Sequence, residues 1–124
     1  MELKDYFENN KGFGVLSTSD GKGNVNAAVY ARPHVMEDGL LAFVMRDRQS
    51  YQNIQSNPHA TYLFREDGPG YKGVRLYLTK TREENDPDLI SALSRRKYPP
   101  DQDASASSFL VYFKLEKTRP LIGG

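Results

Sequence analysis

The chain has 124 residues, one domain's worth, enough to bury about two thirds of the surface its unfolded form exposes. Its 17 basic and 16 acidic side chains leave a formal charge of +1, which argues against general nucleic-acid binding and gives no attraction to an anionic membrane. The absence of cysteine excludes disulfides, thiolate nucleophiles, iron–sulfur clusters and Cys-based zinc sites, and His34 and His59 are too far apart in sequence to form a metal-ligand pair by spacing.

The N-terminus is acidic and lacks an apolar core of signal-peptide length, and no stretch approaches the ~20 apolar residues that span a bilayer. A single domain over 1–124, soluble and cytoplasmic, is the expectation.

Leu3, Tyr6 and Phe7 stand at helical spacing before Asn9-Asn10-Lys11-Gly12, predicting a short amphipathic helix that covers one mouth of the strand structure after it. Gly14 to Thr18 reads as a strand, Ser19 to Gly23 as a turn, and Asn24 to Val35 as a second strand. In that second strand Val25, Ala27 and Val29 share one face, and Asn26, Ala28 and Tyr30 the other. Glu37-Asp38-Gly39 turns the chain into Leu40 to Met45, whose apolar residues on both faces predict a buried strand. Three such strands in succession predict an antiparallel meander.

After Arg46-Asp47-Arg48-Gln49-Ser50, the spacing of Tyr51, Ile54 and Gln55 predicts a helix stopped at Asn57-Pro58. Ala60 to Phe64 is a fourth strand, Glu66 to Gly73 a loop and Val74 to Thr81 a fifth strand. Asp86-Pro87 opens another helix, Asp86 as N-cap and Pro87 at the first helical position. Its apolar stripe is Leu89, Ile90 and Leu93, and Arg95-Arg96-Lys97 complements the dipole in its last turn. Tyr98-Pro99-Pro100 ends it, a polar linker runs from Asp101 to Ser108, and Phe109 to Leu115 is the last strand. The sum is a mainly β domain of six antiparallel strands with short helices, best closed as a small barrel because closure removes exposed edges.

The junction Met45-Arg46-Asp47-Arg48-Gln49-Ser50 delivers a buried strand to a helix start, where backbone N–H groups and the dipole favour an anion. Arg46 and Arg48 add donors suited to phosphate and Ser50 a hydroxyl, although on local chemistry alone two arginines around an aspartate are more often a solvated corner. Small residues in Asn24 to Tyr30 allow a flat ligand to approach the strand, or simply fit a crowded core. Gly68-Pro69-Gly70-Tyr71-Lys72-Gly73 is not a Walker A pattern, and Arg75 is either an exterior arginine or one that reaches across a subunit boundary. No Ser-His-Asp or paired-carboxylate arrangement is indicated by spacing, so any catalysis would rest on a cofactor.

Taken in order, these segments resemble the FMN-binding split-barrel family that includes the pyridoxamine 5′-phosphate oxidases. The resemblance is carried by Gly12-Phe13-Gly14-Val15-Leu16-Ser17-Thr18, by Gly23 to Pro33, by Ala42 to Arg48, by Tyr51-Gln52-Asn53-Ile54-Gln55-Ser56-Asn57-Pro58-His59-Ala60 and by Gly70 to Tyr77. It implies a six-stranded Greek-key split β-barrel, a homodimer, and two FMN sites at the dimer interface. Asn26, Ala27, Ala28 and Val29 would lie along the isoalloxazine ring. Met45, Arg46, Arg48, Gln49 and Ser50 would hold the ring edge and the phosphate, with Tyr71 and Arg75 as further candidates from the partner subunit.

Many relatives carry a lysine where this chain has Gln49-Ser50-Tyr51, so Arg46 or Arg48 would supply the charge. The C-terminal Arg-Leu-x-Pro segment of true pyridoxamine 5′-phosphate oxidases is absent from Thr118-Arg119-Pro120-Leu121-Ile122, so the resemblance does not extend to vitamin B6 oxidation. The expected function is that of an FMN-binding flavoprotein, an oxidoreductase acting on a small redox substrate. The alternatives are a non-catalytic FMN carrier or electron-transfer protein, and a haem-binding split barrel with His34 or His59 as axial ligand.

Overall fold

The computed structural model describes residues 2–93 and 108–123. In chain order it contains α1 (Leu3–Asn9), β1 (Gly12–Ser19), β2 (Val25–Val29), β3 (His34–Val35), β4 (Leu41–Arg46), α2 (Gln49–Ser56), β5 (His59–Glu66), β6 (Gly73–Glu84), α3 (Pro87–Leu93) and β7 (Ser108–Pro120). The strands form one antiparallel sheet in the order β2-β1-β5-β6-β7-β4-β3.

The described residues hold seven strands where the sequence predicted six, because the run from Asn24 to Val35 is broken. Pro33 lacks an N–H and restricts Arg32 before it, so the ladder cannot continue through them. Val29 pairs with Val15 of β1, whereas His34 pairs with Ala42 of β4. The predicted meander is corrected by the same break, since β4 lies beside β7 and not beside β2. β2 and β3 are the two edges of the sheet, yet only Tyr30 to Pro33 separates them, so the sheet must curl until its edges approach. Tyr30 N–H donates to the Gly14 carbonyl at 3.0 Å, and the Tyr62 hydroxyl donates to the Tyr30 carbonyl at 3.0 Å. Arg32 Nη1 donates to the Phe7 and Asn10 carbonyls at the end of α1, at 2.5 and 3.1 Å, where a cation suits the helix terminus.

Inside the barrel, Leu16, Leu41, Phe43, Met45, Tyr62, Phe64, Leu76 and Phe113 are buried. α1 closes one mouth, as its spacing predicted: Phe7 packs edge-on against Phe64 with ring centroids 5.2 Å apart, and the Tyr6 hydroxyl donates to Glu66 Oε2 at 2.7 Å. The backbone of Gly14 runs so close to the Tyr62 ring that a Cβ there would fall 1.9 Å from the phenol oxygen, which accounts for the glycine in mid-strand.

β4 is apolar on both faces because both are covered. Leu41, Phe43 and Met45 enter the barrel, while Ala42 joins Ile90, Leu110 and Tyr112 in a smaller core beneath α3. The predicted cap of α3 is present: Asp86 Oδ1 accepts from the N–H groups of Asp88 and Leu89 at 3.1 and 3.3 Å. Arg95-Arg96-Lys97, Tyr98-Pro99-Pro100 and the predicted linker as far as residue 107 lie outside the described residues, and Ser108, expected at the linker's end, begins β7.

β6 and β7 run longer than the sequence reading, through irregularities at Tyr77/Leu78 and Lys80/Arg82. Cross-strand contacts sustain the polar end, where Arg82 lies 3.7 Å over the Tyr112 ring and the Tyr112 hydroxyl donates to Glu84 at 2.9 Å. Among the described residues no helix is long and apolar enough to cross a membrane.

The outer face of β2-β1-β5 is not covered in this way. Val29, Val15 and Leu63 are cross-strand neighbours on it, with Phe13 and Val25 on the same side of their strands. Val25 is 83% exposed, Phe13 54%, Val29 48% and Leu63 37%. This face is bare where the matching face of β4-β7 carries α3.

Candidate functional site

The turn that leaves β4 at Arg46 sets up the start of α2. The Arg48 N–H donates to the Arg46 carbonyl at 2.8 Å, and Arg48 then occupies the N-cap position in extended conformation. Its own carbonyl accepts the first helical bond, from Gln52 N–H at 2.9 Å. The amides of Gln49, Ser50 and Tyr51 precede that bond, and the N-cap side chain makes no capping hydrogen bond to them. A helix start without a side-chain cap, preceded closely by two arginines, is a donor set matched to an anion.

α2 reaches this position because its inner face carries polar groups that the barrel satisfies. Ser50, Asn53 and Ile54 are buried. Asn53 Nδ2 donates to Thr18 Oγ1 of β1 at 3.0 Å, and Gln49 Nε2 donates to Asn53 Oδ1 at 2.7 Å. Asn26 Nδ2 on β2 donates to Ser50 Oγ at 3.2 Å. Thr18 and Asn26 are paired across β1 and β2, so one row of the sheet supplies both anchors. Among the described residues no buried side-chain nitrogen or oxygen lacks a hydrogen-bond partner.

The sequence-predicted residues fall into two groups. Asn26, Arg46, Arg48, Gln49 and Ser50 converge on the junction of β2, β4 and α2. Ala28 is half-buried and paired with Leu16 beside them, whereas Ala27 and Val29 look outward on the bare face. Met45 is fully buried, so its side chain belongs to the barrel core and only its backbone borders the junction.

Tyr71 and Arg75 are elsewhere. Tyr71 is exposed in the loop between β5 and β6, with the Arg65 guanidinium 5.5 Å from its ring centroid. Arg75 lies on β6, across from Leu63 and Arg119, and donates to the chain's own tail: from Nε to the Pro120 carbonyl at 2.9 Å, and from Nη2 to the Gly123 carbonyl. His59 is exposed at the start of β5, its Nδ1 3.4 Å from Thr79 Oγ1, and His34 is on β3 at the sheet edge opposite β2.

Thr18, Asn53 and Glu83 were not singled out by the sequence reading. Glu83 of β6 accepts from the Tyr51 hydroxyl, from Gln55 Nε2 at 3.0 Å and from Lys80 Nζ at 2.5 Å. Burial pushes the Glu83 carboxyl up, but these three donors outweigh it and hold the group below its ordinary value. Burial and the same hydrogen bond push the Tyr51 phenol up to about 12.

No protein-family model matches the chain, and no curated protein sequence does. Solved structures do. An FMN-binding protein from Syntrophomonas wolfei subsp. wolfei aligns over 98% of this chain and 85% of its own, with TM-score 0.74 and 17% identity. A candidate pyridoxamine 5′-phosphate oxidase from Lactobacillus delbrueckii aligns over 96% and 92%, with TM-score 0.67 and 21% identity. The haem storage protein HutZ from Vibrio cholerae aligns over 96% and 92%, with TM-score 0.68 and 14% identity. At these identities the likeness establishes architecture alone, and the architecture is the split barrel that these structures share.

Proposed function

We propose that this chain is an FMN-binding flavoprotein that works as a homodimer, an oxidoreductase acting on a small redox substrate. The observation that carries the reading is the start of α2, which has no side-chain cap, follows directly on Arg46 and Arg48, and is locked to β1 and β2 by Asn53–Thr18 and Asn26–Ser50. The donor set fits the phosphate of FMN: the amides of Gln49, Ser50 and Tyr51 with the two guanidinium groups. The β2 segment from Asn26 to Val29 would lie along the isoalloxazine ring, its small residues permitting close approach. The flavin would supply the redox chemistry, passing hydride or electrons between a reduced nicotinamide and an acceptor. The chain's own residues bind the phosphate, orient the ring and exclude water.

The FMN-binding structure of the same fold supports this reading; HutZ shows that the fold also serves haem storage. Neither His34, paired with Ala42 through β3, nor His59, beside Thr79, is hydrogen-bonded to the residues that anchor the start of α2. The dimer is supported by the bare apolar face of β2-β1-β5, since a second copy would bury what α3 buries on the other side.

The test is a fluorescence titration with FMN. Arg46→Ala and Arg48→Ala should weaken binding by roughly 1.5–3 kcal/mol per lost charged hydrogen bond. Unchanged affinity in both would place the phosphate elsewhere. Steady-state oxidation of NADH or NADPH with an artificial acceptor then separates an oxidoreductase from a flavin carrier.

A further inference from the structure

α2 has eight residues, too few to hold its shape alone, so tertiary contacts determine where its first turn points. One side is tied to β1 and β2. The other is tied to β6 and β7 by a second, unrelated set of contacts. The Tyr51 ring stacks on Phe109 of β7, with centroids 4.2 Å apart and planes 9° from parallel. Its hydroxyl donates to Glu83 Oε2, while Gln55, one turn later on the same helix face, donates to Oε1 at 3.0 Å. Lys80 Nζ, 2.5 Å from Oε1, offsets the negative charge that this carboxylate brings to the flank of the helix.

From this convergence we infer that Glu83 is a positioning residue for the anion site, setting the first turn of α2 through Tyr51. The inference rests on the flavin reading above. Tyr51 is the third residue of α2, so the side chain that Glu83 holds belongs to one of the amides offered to the phosphate. Recognition by backbone N–H groups tolerates displacements of only about 0.5 Å. Releasing the tether therefore weakens the hold on the phosphate and leaves the ring contacts along β2 in place.

Riboflavin, which has the same ring and no phosphate, separates positioning from general stability. Glu83→Ala removes the acceptor, and Tyr51→Phe keeps the stack on Phe109 while deleting only the hydroxyl, so the second variant stands if the first fails to fold. Both flavins are titrated against the full chain and each variant by fluorescence. The wild type should prefer FMN. Each variant should lose about tenfold in FMN affinity, the equivalent of one hydrogen bond, with riboflavin affinity changed by less than about twofold. An unchanged FMN-to-riboflavin ratio, or equal loss for both flavins, overturns the role of Glu83 and leaves the phosphate site standing. Equal wild-type affinities for the two flavins overturn the phosphate site itself, and the role of Glu83 with it.

Discussion

Asn53→Ala cuts the buried polar link between α2 and the barrel. The side chain is 2% exposed and its amide is used on both sides, donating to Thr18 Oγ1 and accepting from Gln49 Nε2. Truncation strands the Thr18 hydroxyl, itself 3% exposed. A lost net hydrogen bond costs about 1 kcal/mol and an unsatisfied buried hydroxyl about 1–3 kcal/mol, so the expected loss is about 2–4 kcal/mol. For a domain of this size that lowers Tm by roughly 3–5 °C per kcal/mol. Thr18→Val removes the stranded hydroxyl, so adding it to Asn53→Ala should cost less than the sum of the two, with a coupling of about 1 kcal/mol. Urea unfolding followed by circular dichroism reads these values, provided m is unchanged across the set. A loss below about 0.5 kcal/mol for Asn53→Ala, or strict additivity, would refute the view that this pair anchors α2.

Two further predictions concern other parts of the molecule. Glu83 is held below its ordinary carboxylate value in the fold, so its stabilisation is complete above the unfolded value of 4.5 and is lost as pH falls through the depressed folded value. Glu83→Ala should therefore flatten the acid limb of a urea-midpoint profile taken from roughly pH 7 to pH 3, and superimposable limbs would contradict the sign. On the bare face, Leu63→Glu places a charge at the centre of the proposed interface without touching the core. Light scattering after gel filtration should show a wild-type dimer and a folded monomeric variant; a monomeric wild type would remove the interface.

Much of the barrel was legible because alternation carries it. Leu16, Leu76 and Leu78 stand at inward positions of strands readable from composition, and the double-sided apolarity of Leu41 to Met45 correctly announced two covered faces. The break at Ala31-Arg32-Pro33 was not read, although Pro33 was its signal, because the apolar run resumes at Val35 and disguises a change of sheet edge. Glu83 sits in a run of charges that reads as a solvated strand end, and only the pairing of β6 with β7 brings it to Tyr51 and Phe109. The bond between Thr18 and Asn53 depends on how α2 sits on β1, which no local pattern encodes. Arg75 reads as an exterior arginine or one that reaches across a subunit boundary, and its engagement with the chain's own tail carbonyls required knowing where β7 ends.

The central claim, that the fold carries FMN at the start of α2, is tested most directly by the visible absorption spectrum of the purified protein after incubation with FMN and removal of free ligand. A flavin spectrum is expected, with FMN released on denaturation in a ratio approaching one per chain. A protein that remains colourless with its fold intact, or that instead shows an intense haem Soret band, would contradict it.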